Sequence, residues 1–290
     1  MNTRITALAT VAAAAIAAGQ LAVAAPAAAL PGRTLAFGNS ALDASNTKVA
    51  RAFCPDGTVV VGGGAALQGV GSDVIKFRTL TPFLHGTDSY GYEAIALEIR
   101  PVASDWSIAA RAICAPKPAG YQVKDVRIAS GSEPVKTASA TCDNGRRALA
   151  AGGTVRGPSL ATTQITLRGA LVDNAHTGGY AIGEETTGGF SGTWDMIATV
   201  VCANEPAGYT VINKDVPAPS GTTDVAAQAT CPGTTKVHGT EALIIPGTAG
   251  DVHLYFASSV EPNQSLIRSH TSTPGQTPSW QLRAQAVCAN

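Results

Sequence analysis

Trp106-Ser-Ile-Ala-Ala-Arg-Ala-Ile-Cys114 recurs as Trp194-Asp-Met-Ile-Ala-Thr-Val-Val-Cys202 and again as Trp280-Gln-Leu-Arg-Ala-Gln-Ala-Val-Cys288. Alternate residues of each segment form an apolar set: Trp106, Ile108, Ala110, Ala112 and Cys114 in the first, with matching sets in the other two. Side chains of a strand point to opposite faces in turn, so each segment reads as a strand with one buried face. The opposite face, Ser107, Ala109, Arg111 and Ile113 in the first segment and Gln281, Arg283, Gln285 and Val287 in the third, is expected to be at least partly wet. Outward from these segments the cysteines fall at 54, 114, 142, 202, 231 and 288, separated by 60, 60 and 57 residues within pairs. First cysteines recur after 88 residues (54 to 142) and 89 residues (142 to 231). The chain is a threefold internal repeat.

Ala50 and Ala52 precede Cys54 at even spacing, as Ala138 and Ala140 precede Cys142 and Ala227 and Ala229 precede Cys231. Two Ala-lined strands that end in Cys can approach closely enough for the short Cβ separation of a disulfide. Six cysteines allow fifteen pairings, and the repeat selects Cys54–Cys114, Cys142–Cys202 and Cys231–Cys288. Each bridge closes a loop worth about 4 kcal/mol in the chain-entropy model. A zinc site needs closely spaced thiolates such as C-x₂₋₄-C, and none occurs.

Turn residues follow each first cysteine: Pro55-Asp56-Gly57, Asp143-Asn144-Gly145 and Pro232-Gly233. Small residues come next, Gly62-Gly63-Gly64, Ala150-Ala151-Gly152-Gly153 and, in the third copy, Gly239. No Gly-Lys-Ser/Thr and no helix follow them, which excludes a phosphate-binding loop and predicts a bulge or close backbone contact. Further strands are expected at Val74–Leu80, Tyr92–Ile99, Gln164–Val172, Tyr180–Thr186 and His253–Ser259. Counting 14 residues back from each tryptophan sets Tyr92, Tyr180 and Leu266 at one position. Pro118-Ala119-Gly120-Tyr121 and Pro206-Ala207-Gly208-Tyr209 join the copies, with Pro31-Gly32 as a worn equivalent.

The expected fold is all-β, with three tandem disulfide-stapled repeats of about 88 residues at 30–118, 119–206 and 207–290. The 27 residues between Cys114 and Cys142 read as extended strand rather than flexible spacer. That favours copies packed with pseudo-threefold symmetry over three separate β-sandwich beads.

The chain has 290 residues, of which 14% are charged, with 20 basic and 20 acidic groups. A net charge of zero argues against a nucleic-acid partner, whose phosphates attract clustered Lys and Arg. Residues 1–29 combine Arg4, an apolar Ala-rich stretch interrupted by Gly19 and Gln20, and small residues at Ala22-Val23-Ala24 and Ala27-Ala28-Ala29. This is the pattern of a secretory signal peptide cut near Ala24 or Ala29. No later stretch reaches 18 uninterrupted apolar residues, so no membrane span is expected after cleavage. Export makes disulfides chemically available.

Cys-Pro-Asp-Gly-Thr-Val-Val-Val-Gly-Gly-Gly-Ala (Cys54 to Ala65), closed by Trp-x₇-Cys-Ala, resembles a module of secreted bacterial proteins and phage tail proteins, where it often follows a collagen-like stretch as a trimeric C-terminal domain. The resemblance covers nearly all of the chain after residue 29 and is clearest in the first copy. It implies a secreted setting and one chain imitating a trimer; it brings no reaction. A looser likeness is to the vitelline-membrane outer-layer proteins, three-sheet β-prisms built from shorter repeats.

Among the five histidines, His85, His176, His238, His253 and His270, none forms H-x-x-x-H, and no G-x-S-x-G elbow occurs. Glu184-Glu185 sits in a Thr- and Gly-rich segment expected to face water, and Asp105 and Asp195 flank tryptophans without recurring in the third copy. No catalytic residue, metal or cofactor is therefore assigned. The candidate ligand-binding residues are Asp88, Tyr90, Asp173, Asn174 and Tyr180, from the loop 83–92 and its counterpart 173–180. Aromatic faces beside Asp and Asn suit sugar recognition. Trp106, Trp194 and Trp280 share a face with Ala and Cys, which makes them core anchors.

The reading is a secreted, non-enzymatic binding or surface-interaction protein with a glycan or cell-envelope ligand. One alternative is an adhesive module that contacts another secreted protein through a strand edge. The other is a hydrolase with dispersed catalytic groups.

Overall fold

The computed structural model describes residues 30–69, 71–85, 89–157, 163–245, 251–272 and 279–290; the expected signal peptide lies outside them. The first copy supplies β1 (Thr34–Asn39), β2 (Thr47–Phe53), β3 (Thr58–Gln68), β4 (Ile75–His85), β5 (Ser89–Glu98) and β6 (Ser107–Pro116). The second supplies β7 (Gln122–Gly131), β8 (Val135–Thr141), β9 (Arg146–Arg156), β10 (Ile165–Val172), β11 (Gly178–Glu185) and β12 (Trp194–Asn204). The third supplies β13 (Thr210–Ala218), β14 (Asp224–Thr230), β15 (Lys236–Ile245), β16 (Val252–Glu261), β17 (Gln264–Thr271) and β18 (Trp280–Ala289).

These strands form three six-stranded antiparallel sheets, ordered β1-β6-β3-β16-β17-β14, β13-β18-β15-β10-β11-β8 and β2-β5-β4-β9-β12-β7. Every sheet is half one copy and half another. In each copy the first, sixth and third strands form one half-sheet, and the fourth, fifth and second form the other. The third strand of copy one meets the fourth of copy three, that of copy three meets copy two, and that of copy two returns to copy one. The ring is closed, so the packed pseudo-threefold form holds and separate beads do not.

The junctions are short. β3–β16, β4–β9 and β10–β15 each contribute two Cα partner pairs, such as Ala66 with Phe256 and Ala65 with Ala257. Side chains reinforce them. Arg168 donates to the Ile244 carbonyl from Nη2 at 2.8 Å, Arg111 donates to the Ser259 carbonyl, and the Gln285 amide both accepts from Val172 N–H and donates to its carbonyl.

Backbones can come this close because of the small residues. A Cβ on Gly62 would lie 1.9 Å from the His238 carbonyl oxygen, and one on Gly64 would lie 2.0 Å from that of Ala257. The register of the third strands shifts at Val61, Leu149 and His238, one bulge per copy at the same place. The glycine run thus marks a bulge and a close backbone approach at the centre of the ring.

Trp106, Trp194 and Trp280 are buried, and each disulfide joins the second strand of a copy to its sixth, stapling the two half-sheets at Cα separations of 5.6–5.7 Å. The outer face of the sixth strand is only partly wet: Ala109, Arg111 and Arg283 are half-buried and Ser107 is buried. Gln281 is exposed, whereas Ile113, Gln285 and Val287 are buried near the junctions.

One alignment needs correction. Ala52, Ala140 and Ala229 pair with Tyr92, Gly179 and Ser265. Tyr180 is therefore one residue out of step with Tyr92 and lies on the opposite face, because side chains alternate with period two. Tyr92 is buried against Gly63, where any Cβ would lie 2.3 Å from its ring, while Tyr180 is only half-buried.

Tyr121 and Tyr209 each start a new copy and donate from their hydroxyls to the Val60 and Ala148 carbonyls of the copy before. Arg33 does the same to the Val237 carbonyl, closing the ring where the chain is not continuous. Gly32, Gly120 and Gly208 all have φ of 72–75°, so Pro31-Gly32 is the first copy's version of the linker turn. Leu30 N–H donates to the Asn290 carbonyl. A circular permutant joining Asn290 to Leu30 through one residue and opened between Lys117 and Pro118 should fold, with a melting temperature within about 8 °C of the parent. Loss of cooperative unfolding in calorimetry would contradict the closed ring.

Lys76, Thr166 and His253 each follow the first residue of a fourth strand and are buried together. His253 Nδ1 lies 3.2 Å from Thr166 Oγ1 and Nε2 lies 3.3 Å from Ser272 Oγ; Lys76 donates to the Thr163 carbonyl. Burial lowers the Lys76 pKa to about 7, against an opposing pull from Asp251. An unfolded lysine keeps its ordinary value near about 10.4. Between these values the unfolded chain binds the extra proton, so this group's contribution to stability grows as pH rises through the window. In urea titrations at pH about 7 and about 9.5, wild type should gain stability relative to K76M. Parallel pH dependence of the two proteins would show that Lys76 is not buried as described.

Candidate functional site

The strands run between two ends of the molecule. At the disulfide end lie the turns after the first cysteines, the loops between fourth and fifth strands, and the copy linkers. Gly57 and Gly145 have φ of 78°, which a turn here requires and a side chain disfavours. The longer connections 99–106 and 186–193 lie at the tryptophan end.

Of the sequence candidates, Tyr90, Asp173, Asn174 and Tyr180 belong to the disulfide end. Asp88 lies outside the described residues. Asp173 builds its loop: its Oδ1 accepts from Thr177 N–H at 3.1 Å and its carbonyl accepts from His176 N–H at 3.0 Å. His176 is held at φ 60°, and its ring meets Tyr209 edge-on at 5.8 Å. Asn174 is exposed at the tip. Tyr180 stands on the outer face of its sheet; burial raises its hydroxyl pKa, Arg283 opposes this and Asp173 adds to it. The loop thus brings Asp173, Asn174 and Tyr180 into one neighbourhood.

Tyr90 is different. It packs edge-on against Tyr121 at 5.4 Å and its carbonyl accepts from Cys54 N–H. Its ring supports the tyrosine that stitches copy two to copy one, which is a packing role. Tyr90→Ala should therefore cost about 1–3 kcal/mol in urea denaturation, whereas Asn174→Ala should stay within about 0.5 kcal/mol of wild type. Equal stability of the two variants would remove this distinction.

At the tryptophan end, Trp106 and Trp194 are held alike. Their indole N–H groups donate to Glu98 and Glu185 Oε1, both at 3.1 Å, and Lys48 and Lys136 Nζ lie 5.1 Å from the ring centroids. The expectation that Glu184-Glu185 faces water is overturned. Glu184 is buried beside Arg168 at 3.4 Å, and Glu185 is taken up by the indole and by Phe190 N–H. In copy three Val225 and Thr271 stand at the Lys and Glu positions, and the Trp280 Nε1 has no hydrogen-bond partner among the described residues.

Beside Trp194 lies a cleft of about 270 Å³ lined by Arg127, Ser130, Arg156, Thr193 and Asp195. A cleft of about 290 Å³ recurs beside Trp280, lined instead by Pro217, Ala218, Pro219, Ser279 and Gln281. Sequence reading missed both, because strand neighbours from different parts of a copy line them. Asp195, weighed in the sequence as a lone acid, is buried. Burial raises its pKa, but hydrogen bonds from Ser130 and Arg127 outweigh this and hold it below the usual carboxylate range.

No metal-competent group of three or more His, Cys, Asp or Glu side chains occurs among the described residues, and no helix there is long and apolar enough to cross a membrane. In comparison with known proteins, no family model and no curated protein matches the chain.

Proposed function

We propose that the chain is a secreted, non-enzymatic binding protein whose ligand is a glycan or another cell-envelope component. Three disulfides in a chain without free cysteines among the described residues fit an oxidising compartment, and the signal-like residues 1–29 point to export. The observation that carries the reading is the loop Asp173–Gly178. Its backbone is tied by Asp173, its exposed amide is Asn174, and an aromatic face, Tyr180, stands beside it. Paired polar groups beside an aromatic face suit a saccharide, and a rigid β scaffold holds such a loop in place at little ordering cost.

A second reading, adhesion to another protein, is favoured by the outer row of edge strand β2. Val49 and Phe53 are exposed there, and Phe53 meets Phe83 edge-on at 5.5 Å. An array of immobilised glycans probed with the folded chain separates the two. Binding that N174A and Y180A each weaken by about tenfold or more, at unchanged melting temperature, supports the glycan reading. A blank array, with retention of a second secreted protein that Phe53→Ser abolishes, supports adhesion instead.

A further inference from the structure

Arg156 is the arginine that, among the described residues, carries neither a hydrogen bond nor an ion pair. It ends β9, is exposed, and faces the cleft beside Trp194. Its partner across the ladder is Asp195, an obvious counter-ion. That carboxylate is already engaged by Arg127 and Ser130. Asp195 and Arg127 cancel, leaving the charge of Arg156 uncompensated at the cleft.

Arg78, in β4 of the neighbouring copy, is buried, and its pKa is lowered first by burial and then by repulsion from Arg156, with Glu93 opposing both. In a protein of zero net charge, the other exposed arginines among the described residues have each found an acid: Arg51 with Glu93, Arg100 with Asp73, Arg127 with Asp195 and Arg268 with Asp224.

A guanidinium presents a planar fork of donors matched to the paired oxygens of a carboxylate, sulfate or phosphate. Thr193 and Arg127 line the same cleft. We propose that this cleft is an oxyanion site, with Arg156 as the principal donor, and that it receives the acidic group of a charged saccharide. The saccharide part rests on the glycan reading above; the oxyanion part stands on the cleft alone. The equivalent cleft in copy three has Gln281 where copy two has Asp195 and Ile245 where copy two has Arg156, so it lacks both charges of the copy-two site.

The test follows the arginine Nε–Hε resonances of the isotope-labelled full chain by NMR. Sodium sulfate, sodium phosphate or sodium acetate is titrated at constant ionic strength, then glucuronic acid, glucosamine 6-sulfate and uncharged glucose. Saturable shifts of Arg156 and of its cleft neighbours, the Arg127 Nε–Hε and the Thr193 and Asp195 amides, are expected in the wild type for one or more of the inorganic anions, and the affinity read from those neighbours should fall about tenfold or more in R156Q and be partly kept in R156K. The charged sugars should bind and glucose should not. Amide resonances far from the cleft report that the variants remain folded, and N174A at the other end should leave the anion response intact. Saturable sulfate binding with no response to any sugar would support the oxyanion site and overturn its saccharide part. Linear shifts shared by wild type and R156Q would overturn the site itself, whatever the glycan array shows.

Discussion

The backbone edge at the centre of each copy governs this structure. The third and fourth strands are inner edge strands of two separate half-sheets, and within one copy neither has a partner on its inner side. Unpaired N–H and C=O groups there would be buried at a cost of about 1–3 kcal/mol each. The solution is cyclic: β3 takes β16, β15 takes β10, and β9 takes β4. No copy satisfies its own edges, and an open array of three would leave one pair unmet. Closure at three is thus a condition of folding, and it explains why Leu30 and Asn290 meet and why Arg33 takes up the role of a tyrosine.

Closure constrains composition in turn. Three third strands can approach one another at the axis only where side chains shrink to hydrogen or methyl, as at Gly62, Ala150 and Gly239. Volume lost there is recovered farther out, by one indole per copy and by local exchanges such as Tyr92 over Gly63 in copy one against Gly179 over Ala151 in copy two. A core of small residues leaves less apolar area per residue than a core of Leu and Phe. The disulfides offset this by restricting the unfolded chain.

What could be read in the sequence was what repeats by packing. The Trp-to-Cys strands, the Ala pairs before Cys54, Cys142 and Cys231, and the turn residues recur because identical interiors need them. Inter-copy pairing left no such trace, since two partner pairs per junction impose little pattern on either strand. The tyrosine alignment failed for a related reason. The connection from Glu98 to Trp106 spans eight residues and that from Glu185 to Trp194 nine, so counting from tryptophan slips by one and exchanges the faces of the fifth strand. The burial of Glu184 was equally hidden, because its polar neighbours in sequence are not its neighbours in the sheet. Of the candidate loop, the association of Asp173, Asn174 and Tyr180 was local and legible; the packing role of Tyr90 depends on Tyr121, 31 residues away in the next copy.

The departures from symmetry run in one direction. The alanines, disulfides and indoles of the interior recur in all three copies, whereas the shell around each tryptophan does not. Copies one and two hold the indole between a lysine and a glutamate; copy three has neither, and among the described residues Trp280 Nε1 has no hydrogen-bond partner. A polar pair that served only the scaffold would be needed equally in all three, because the fold demands the same ring in the same place. Its loss in copy three shows that the ring stays buried through its apolar neighbours, and that the Lys–Glu shell is a secondary support. The same rim carries the two clefts, one with a free guanidinium and one lined by proline. Threefold repetition thus supplies a rigid frame with three equivalent rim positions, and divergence at those positions changes surface chemistry without disturbing the edges on which closure depends.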